Sequence, residues 1–281
     1  MTEAGPSALS TVLAQSPDAD ARTPRESPLK TLSVTLAICL ACSLLVSIAT
    51  VLLRPIQEEN RRRARNAQLA DILGARPELR NLIQDLTHGS LAEQVVDLRR
   101  GAFVTDIDPA AFDPIVAARE PTTSRPIAPE KDVANIQRQA HHAVVTMVWQ
   151  GRTPQAIVLP IYGRGYAAVI RGSIVLAGDG NTILGLVISE HSETPGIGSE
   201  ITEPEWTELW TGKKLRDAEG RLRLHVTLDE INPPDDEASF HVDGISGATR
   251  SSEAVGNMVR FWVGENGFGP LLARMRDGEL R

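Results

Sequence analysis

The run from Thr31 to Leu53, TLSVTLAICLACSLLVSIATVLL, contains no charged residue and is bracketed by Lys30 and Arg54. At ~1.5 Å of rise per residue, a helix of about 23 residues crosses the roughly 30 Å hydrocarbon core of a bilayer. A cleaved signal peptide competes with this reading, because Ser47-Ile48-Ala49 offers small residues at cleavage-site spacing. The long leader before the run, and its continuation through Val51, Leu52 and Leu53, favour a retained anchor over residues 29–54. Residues 1–28 are rich in Ser, Pro, Ala and charge without apolar periodicity and read as a disordered tail.

Beyond the anchor, PIQEENRRRARNAQLADILG reads as a polar helix ended by Gly74 and Pro77, opening a helical connector over residues 55–100. Arg61, Arg62, Arg63 and Arg65 fit a solvated face near lipid headgroups. Counted literally against Arg22, Arg25 and Lys30, these arginines and Arg54 put the main domain in the cytoplasm, but large domains translocate largely regardless of flanking charge. The net charge of −7 excludes the whole chain as an electrostatic nucleic-acid binder. Both cysteines, Cys39 and Cys42, fall inside the apolar run, which excludes a disulfide framework and cysteine-ligated metal in the rest of the chain. Their C-x-x-C spacing suits a redox pair, yet in an apolar helix cysteine serves as a small hydrophobe.

Residues 101–281 read as one α+β domain. His142 to Trp149, Ala156 to Tyr162, Tyr166 to Ala177 and Thr182 to Glu190 are β-branched, half-alternating segments, and Arg221 to Val226 alternates as well. Gly178-Asp179-Gly180-Asn181 is hairpin-turn chemistry. A helical pattern runs from about Ser252 to Glu265, with Val255, Met258, Val259 and Trp262 along one face. Strands joined by hairpins predict a mainly antiparallel sheet with flanking helices, not a doubly wound parallel one.

Gly163-Arg164-Gly165-Tyr166-Ala167-Ala168 matches the loose dinucleotide pattern G-x-G-x-x-A, but Tyr166 to Ala177 reads as a strand where that fingerprint needs a helix. The glycines are expected to form a tight turn that lets backbone approach a neighbour. His88, His141, His142, His191, His225 and His241 show no metal-site spacing, and no Ser/His/Asp order emerges. Two stretches stand apart. Glu190-His191-Ser192-Glu193-Thr194-Pro195-Gly196-Ile197-Gly198 is loop chemistry after a strand. Asp243-Gly244-Ile245-Ser246-Gly247-Ala248-Thr249-Arg250-Ser251-Ser252 crowds small and hydroxyl residues before a helix. The second is either a plain cap, with Ser251 or Ser252 capping the helix, or a phosphate site at the helix N-terminus.

These segments resemble the C subunit of the sodium-translocating NADH:quinone oxidoreductases and, more distantly, the G subunit of the Rnf complex. The similarity runs through LLRPIQEEN, PIYGRGY, NTILGLVISEHSETPGIGSEI, Trp210-Thr211-Gly212-Lys213-Lys214, VDGISGATRSS and FWVGENGFGPLLARMRDG. E-T-P-G-I-G together with S-G-A-T-x-[ST] is highly specific. The resemblance implies FMN held covalently by a phosphoester. The family pattern D-x-x-S-G-A-T-x-T falls on Asp243, Ser246, Gly247, Ala248, Thr249 and Ser251, with Ser251 bearing the flavin and Ser252 adjoining it. Thr249 is the nearest competing hydroxyl. The family usually has threonine where this chain has Ser251, and serine lacks the methyl that stiffens χ1. The resemblance also implies that Glu193, Thr194, Pro195, Gly196 and Ile197 line the isoalloxazine ring.

A separate flavin transferase using FAD and magnesium is implied for maturation, since nothing near Ser251 in sequence looks like its own base. The implied partners are the other subunits of a membrane NADH:ubiquinone reductase. The implied place is the cell inner membrane, with the flavin domain periplasmic. The implied function is relay of single electrons toward ubiquinone, with sodium export by partner subunits and no catalysis by this chain alone. An Rnf-type G subunit, or a membrane-tethered assembly protein without redox chemistry, are the alternatives.

Overall fold

The computed structural model describes residues 28–74, 91–228 and 235–280. The tail expected over residues 1–28 and the connector segment 75–90 lie outside the described residues, apart from Pro28. The chain divides into two compact units, residues 1–58 and 59–281.

Helix α1 runs Pro28–Gly74 and ends at the expected glycine. Its stretch Leu32–Leu53 is long and apolar enough to cross a membrane, and none of it is buried within the protein. Cys39 and Cys42 are free thiols on its surface.

The second unit is built on six strands: β1 Leu91–Asp97, β2 Ala102–Val104, then, past α2 (Pro114–Arg119) and the short pair β3 (Ser124–Pro126) and β4 (Arg138–Ala140), β5 His142–Gln150, β6 Thr153–Arg164, β7 Val169–Ala177 and β8 Ile183–Glu190. Their order is β2-β1-β5-β6-β7-β8. Every neighbouring pair is antiparallel. This is the mainly antiparallel architecture expected. The sheet starts at Leu91, inside the stretch read as a helical connector. Leu91 to Asp97 pairs with β5 from Leu91↔Val148 to Asp97↔His142, and that ladder overrides the helical reading.

Alternation sorts the side chains. Ile157, Leu159 and Ile161 of β6, with Ile170, Ile174 and Leu176 of β7, enter the main core, while Ala156, Val158 and Val175 join a smaller cluster with Val148 and Leu184. The β7–β8 turn forms where glycine and aspartate foresaw it. Gly180 sits at φ +63°, and Asp179 Oδ1 accepts the N–H groups of Asn181 and Thr182 at 2.8 and 2.9 Å.

Strand β7 begins later than expected. The Gly165 N–H donates to Ala168 O at 2.7 Å and closes a tight turn ahead of it. The G-x-G-x-x-A stretch is therefore the end of β6, Gly163 and Arg164, followed by the hairpin turn 165–168. Of the expected strand Arg221 to Val226, only His225 and Val226 lie in β9 (His225–Thr227), because the Arg223 and Leu224 N–H groups turn back to Leu215 O. After α3 (Pro204–Thr207) and α4 (Asp235–Ala238), β9 pairs in parallel with β10, His241–Asp243, the one departure from an antiparallel pattern among the described strands.

Helices α5 (Thr249–Val263) and α6 (Gly269–Arg276) cover the main core. Val255, Met258, Val259 and Trp262, the expected apolar face, are all 3% exposed or less. Burying such side chains contributes about 1.5–3 kcal/mol each relative to exposure. Trp262 Nε1 donates to Tyr162 O at 2.7 Å, and the two rings lie 4.8 Å apart.

Burial pushes the Tyr162 hydroxyl up to about 12, with Arg171 pulling it down and Asp132 adding to the rise. A raised acid in the folded state means its stability contribution is whole below about pH 10 and is lost as pH climbs through about 12. Denaturation across that window should show wild type losing about 2–3 kcal/mol more than Tyr162→Phe, at ~1.36 kcal/mol per unit. Parallel curves for the two proteins would refute the assignment.

Candidate functional site

Three loops meet at one edge of the core. The first is the β6–β7 turn, residues 165–168. The second is the segment 191–198 after β8, held down by a short turn at Gly198–Thr202 whose Ile201 is fully buried. The third runs from β10 into α5. There Ile245 and Ala248 are buried, and Trp206 Nε1 fixes the loop by donating to Asp243 O at 2.8 Å.

At the junction Ser251 Oγ donates to Glu193 Oε2 at 2.5 Å, across 58 residues of sequence. Both residues are nearly sealed, at 4% and 3% exposure. The Ala167 N–H donates to the other carboxylate oxygen, Glu193 Oε1, at 3.1 Å. The Glu193 N–H donates to His191 Nδ1 at 3.2 Å. Both carboxylate oxygens therefore accept a hydrogen bond.

Two glycines make this packing feasible. A Cβ at Gly165 would stand 2.4 Å from Glu193 Oε1, and one at Gly198 would stand 2.8 Å from Ser251 Oγ. The tight turn foreseen at Gly165 thus admits a carboxylate, and the Gly198 backbone lies directly against the serine oxygen.

The neighbouring hydroxyl has another occupation. Ser252 is fully buried; its Oγ donates to Ala248 O and Thr249 O at 3.2 and 3.1 Å and accepts the Ile245 N–H at 3.3 Å. Neither serine caps the helix. Residue Ala248 occupies the cap position, without a side-chain bond, and both serines lie within the first turn. The plain-cap reading therefore fails, because the helix starts two residues before Ser251.

The other expected residues divide by exposure. Thr194, Pro195, Gly196, Ile197, Ser246 and Gly247 are exposed, Ala248 is buried and Thr249 is half-buried. Gly196 and Gly247 have φ +72° and +81°, with open space where a Cβ would point. Glu193, expected with its neighbours to line the ring, turns inward onto Ser251. The Asp243 carboxylate accepts from His241 Nε2 at 2.8 Å, and His241 Nδ1 lies 3.3 Å from His225 Nε2. Sequence reasoning passed over Tyr166 and Arg250. Tyr166 is 59% exposed and the Arg250 guanidinium lies over its ring at 5.4 Å, so an aromatic face and a cation border the rim. Nothing in the spacing links them. A cavity of about 230 Å3, lined by Leu98, Ile115, Tyr162 and Trp262 among others, takes no residue from the three loops.

The fold and this junction define a class. Residues 165–264, which contain all three loops, match the family model of the FMN-binding domain. The chain is 36% identical over 257 residues to the C subunit of the Na(+)-translocating NADH-quinone reductase of Pseudomonas aeruginosa, covering 91% of this chain and 98% of that one. It is 38% identical over 248 residues to the corresponding subunit of Haemophilus ducreyi, covering 88% and 93%. The crystal structure of Shewanella oneidensis NqrC superposes with a TM-score of 0.66 at 30% identity, covering 78% of this chain and 99% of that one. The chain belongs to the C-subunit family of the Na(+)-translocating NADH-quinone reductases. The resemblance carried by E-T-P-G-I-G and S-G-A-T-R-S is borne out.

Proposed function

We propose that this protein is the electron-transferring flavoprotein subunit of a sodium-translocating NADH:ubiquinone reductase and carries FMN through a phosphoester to Ser251. The observation that carries this reading is the placement of one hydroxyl. Within the FMN-binding domain match, Ser251 Oγ is directed to the junction of three loops, whereas Ser252 is spent on helix backbone.

The residues fit such a group. Gly196 and Gly247 leave room for close approach, Arg250 offers a cation to a phosphate, and the exposed 194–197 backbone and Tyr166 offer polar groups and an aromatic face to a ring. FMN, when bound, supplies the one-electron chemistry, while the chain sets its position and electrostatics. In the 194–197 loop the Gly196 and Ile197 N–H groups donate to Ser199 Oγ and Thr194 O and Pro195 has none, which leaves the Thr194 N–H to favour added negative charge on the ring.

Maturation by a flavin transferase from FAD and magnesium, sodium export by partner subunits, and an inner-membrane anchor with the domain periplasmic complete the reading. The apolar Leu32–Leu53 stretch supports the anchor.

Tryptic mapping tests the attachment. Cleavage after Arg250 separates Thr249 from a peptide running Ser251 to Arg260. That peptide should gain the mass of FMN less one water after co-expression with the transferase, and its band should fluoresce after denaturation. A bare peptide in the presence of the transferase would overturn the proposal.

A further inference from the structure

We propose that Glu193 is the proton acceptor for the modification of Ser251: this chain supplies the base for its own flavin attachment, on the motif that sequence reading assigned to the flavin ring. The inference rests on the phosphoester reading above.

A serine hydroxyl is a weak nucleophile at neutral pH and needs a partner to take its proton. Such a partner must lie within about 2.6–3.2 Å of the oxygen it serves. Glu193 Oε2 stands at 2.5 Å from Ser251 Oγ and accepts from it. The carboxylate is fixed by two further contacts, the Ala167 N–H on Oε1 and its own N–H on His191 Nδ1. Space for it is kept by Gly165 and Gly198, either of which would collide with the pair if it carried a Cβ. A buried carboxylate is an unfavourable neighbour for a bound phosphate by charge alone, which argues against a role in holding the anion. It is a favourable neighbour for a hydroxyl about to lose a proton.

The step balances without redox change. Ser251 Oγ forms a bond to the flavin-side phosphorus of FAD, the anhydride bond to the second phosphate breaks, and AMP leaves with that electron pair. The hydroxyl proton passes to Glu193. In the product the hydrogen bond persists with its roles exchanged: protonated Glu193 donates and the ester oxygen accepts. That exchange removes the clash between a buried carboxylate and the new phosphodiester.

The covered oxygen adds a requirement. With Ser251 at 4% exposure and the Gly198 backbone against it, the loop at Gly198 has to move aside before transfer.

The test uses the full-length chain in detergent with purified transferase, FAD and magnesium, following modification by intact mass. Wild type must be modified first; if it is not, the phosphoester reading fails and not this one. Given modified wild type, Glu193→Gln should slow the initial rate by roughly 10²-fold or more, in line with general-base contributions. Its rate should climb more steeply with pH as hydroxide replaces the missing base. Glu193→Asp separates chemistry from shape. A structural role ranks Gln above Asp, because the isostere still accepts the Ala167 N–H on its amide oxygen and can donate its NH2 to Ser251 Oγ. A base ranks Asp above Gln. Modification of Glu193→Gln within about 3-fold of wild type, or a rate for Gln above that for Asp, overturns the proposal. Equal thermal midpoints for wild type and Glu193→Gln guard the comparison against misfolding.

Discussion

Ser251→Ala protein, co-expressed with the flavin transferase, is expected to emerge colourless, with no mass gain and no fluorescent band. The effect should be complete rather than graded, because a phosphoester needs an oxygen and the adjacent Ser252 oxygen is committed to Ala248 O and Thr249 O inside a fully buried turn. The substitution also leaves Glu193 with one donor fewer in a sealed position. Stability should fall by about 1–3 kcal/mol, enough to measure and too little to unfold a domain of ordinary stability. Ser251→Thr keeps the oxygen and should keep the flavin. Retention of the full mass gain in the alanine variant would move the attachment elsewhere, with Thr249 the next candidate to replace.

The second large effect is mechanical. Trp262→Ala removes a ring that lies 4.8, 5.5 and 5.4 Å from those of Tyr162, Phe261 and Phe268, and strips the donor from Tyr162 O. Emptying a core aromatic site costs about 3–5 kcal/mol. The orphaned carbonyl brings the expected loss to about 4–6 kcal/mol. The urea midpoint should drop accordingly with the slope unchanged, and Trp262→Phe should recover most of the loss. A drop worth less than about 1.5 kcal/mol would show that the surrounding rings close over the gap. The clamp joins α5, which carries Ser251, to β6, which leads into the 165–168 turn. A destabilised Trp262 variant should therefore also load flavin poorly, although this residue stands about 16 Å along the helix from the hydroxyl.

Legibility in the sequence followed length and regularity. β5 to β8 announced themselves because each is eight or more residues of alternating or continuous branched apolar side chains. The buried face of α5 was readable from its 3.6-residue spacing. β1 was missed because Leu-Ala-Glu-Gln-Val-Val-Asp carries Glu93 and Gln94 in its middle and owes its conformation to pairing with β5. The three-residue strands β2, β3, β4, β9 and β10 hold too few positions to show a period. In α6, a Gly-Pro start followed by two arginines hides a helix whose Leu271, Leu272 and Met275 are buried. At the site, all three loops were marked in advance, but their meeting was not. A carboxylate 58 residues from its serine is invisible to any local pattern, so the search for a base near Ser251 in sequence found none.

The rim around the serine is shallow: Thr194 to Ile197, Ser246, Gly247 and Tyr166 all face solvent. A flavin seated on such a ledge would have few enclosing walls to oppose its escape, and its residence time as a free ligand would be short. In the proposed loaded state the ester bond takes over that duty. Departure is then governed by hydrolysis rather than by dissociation, and an open edge becomes compatible with a permanent cofactor. The same openness leaves the ring within reach of successive redox partners, so a single tethered group can serve donor and acceptor in turn without leaving its post.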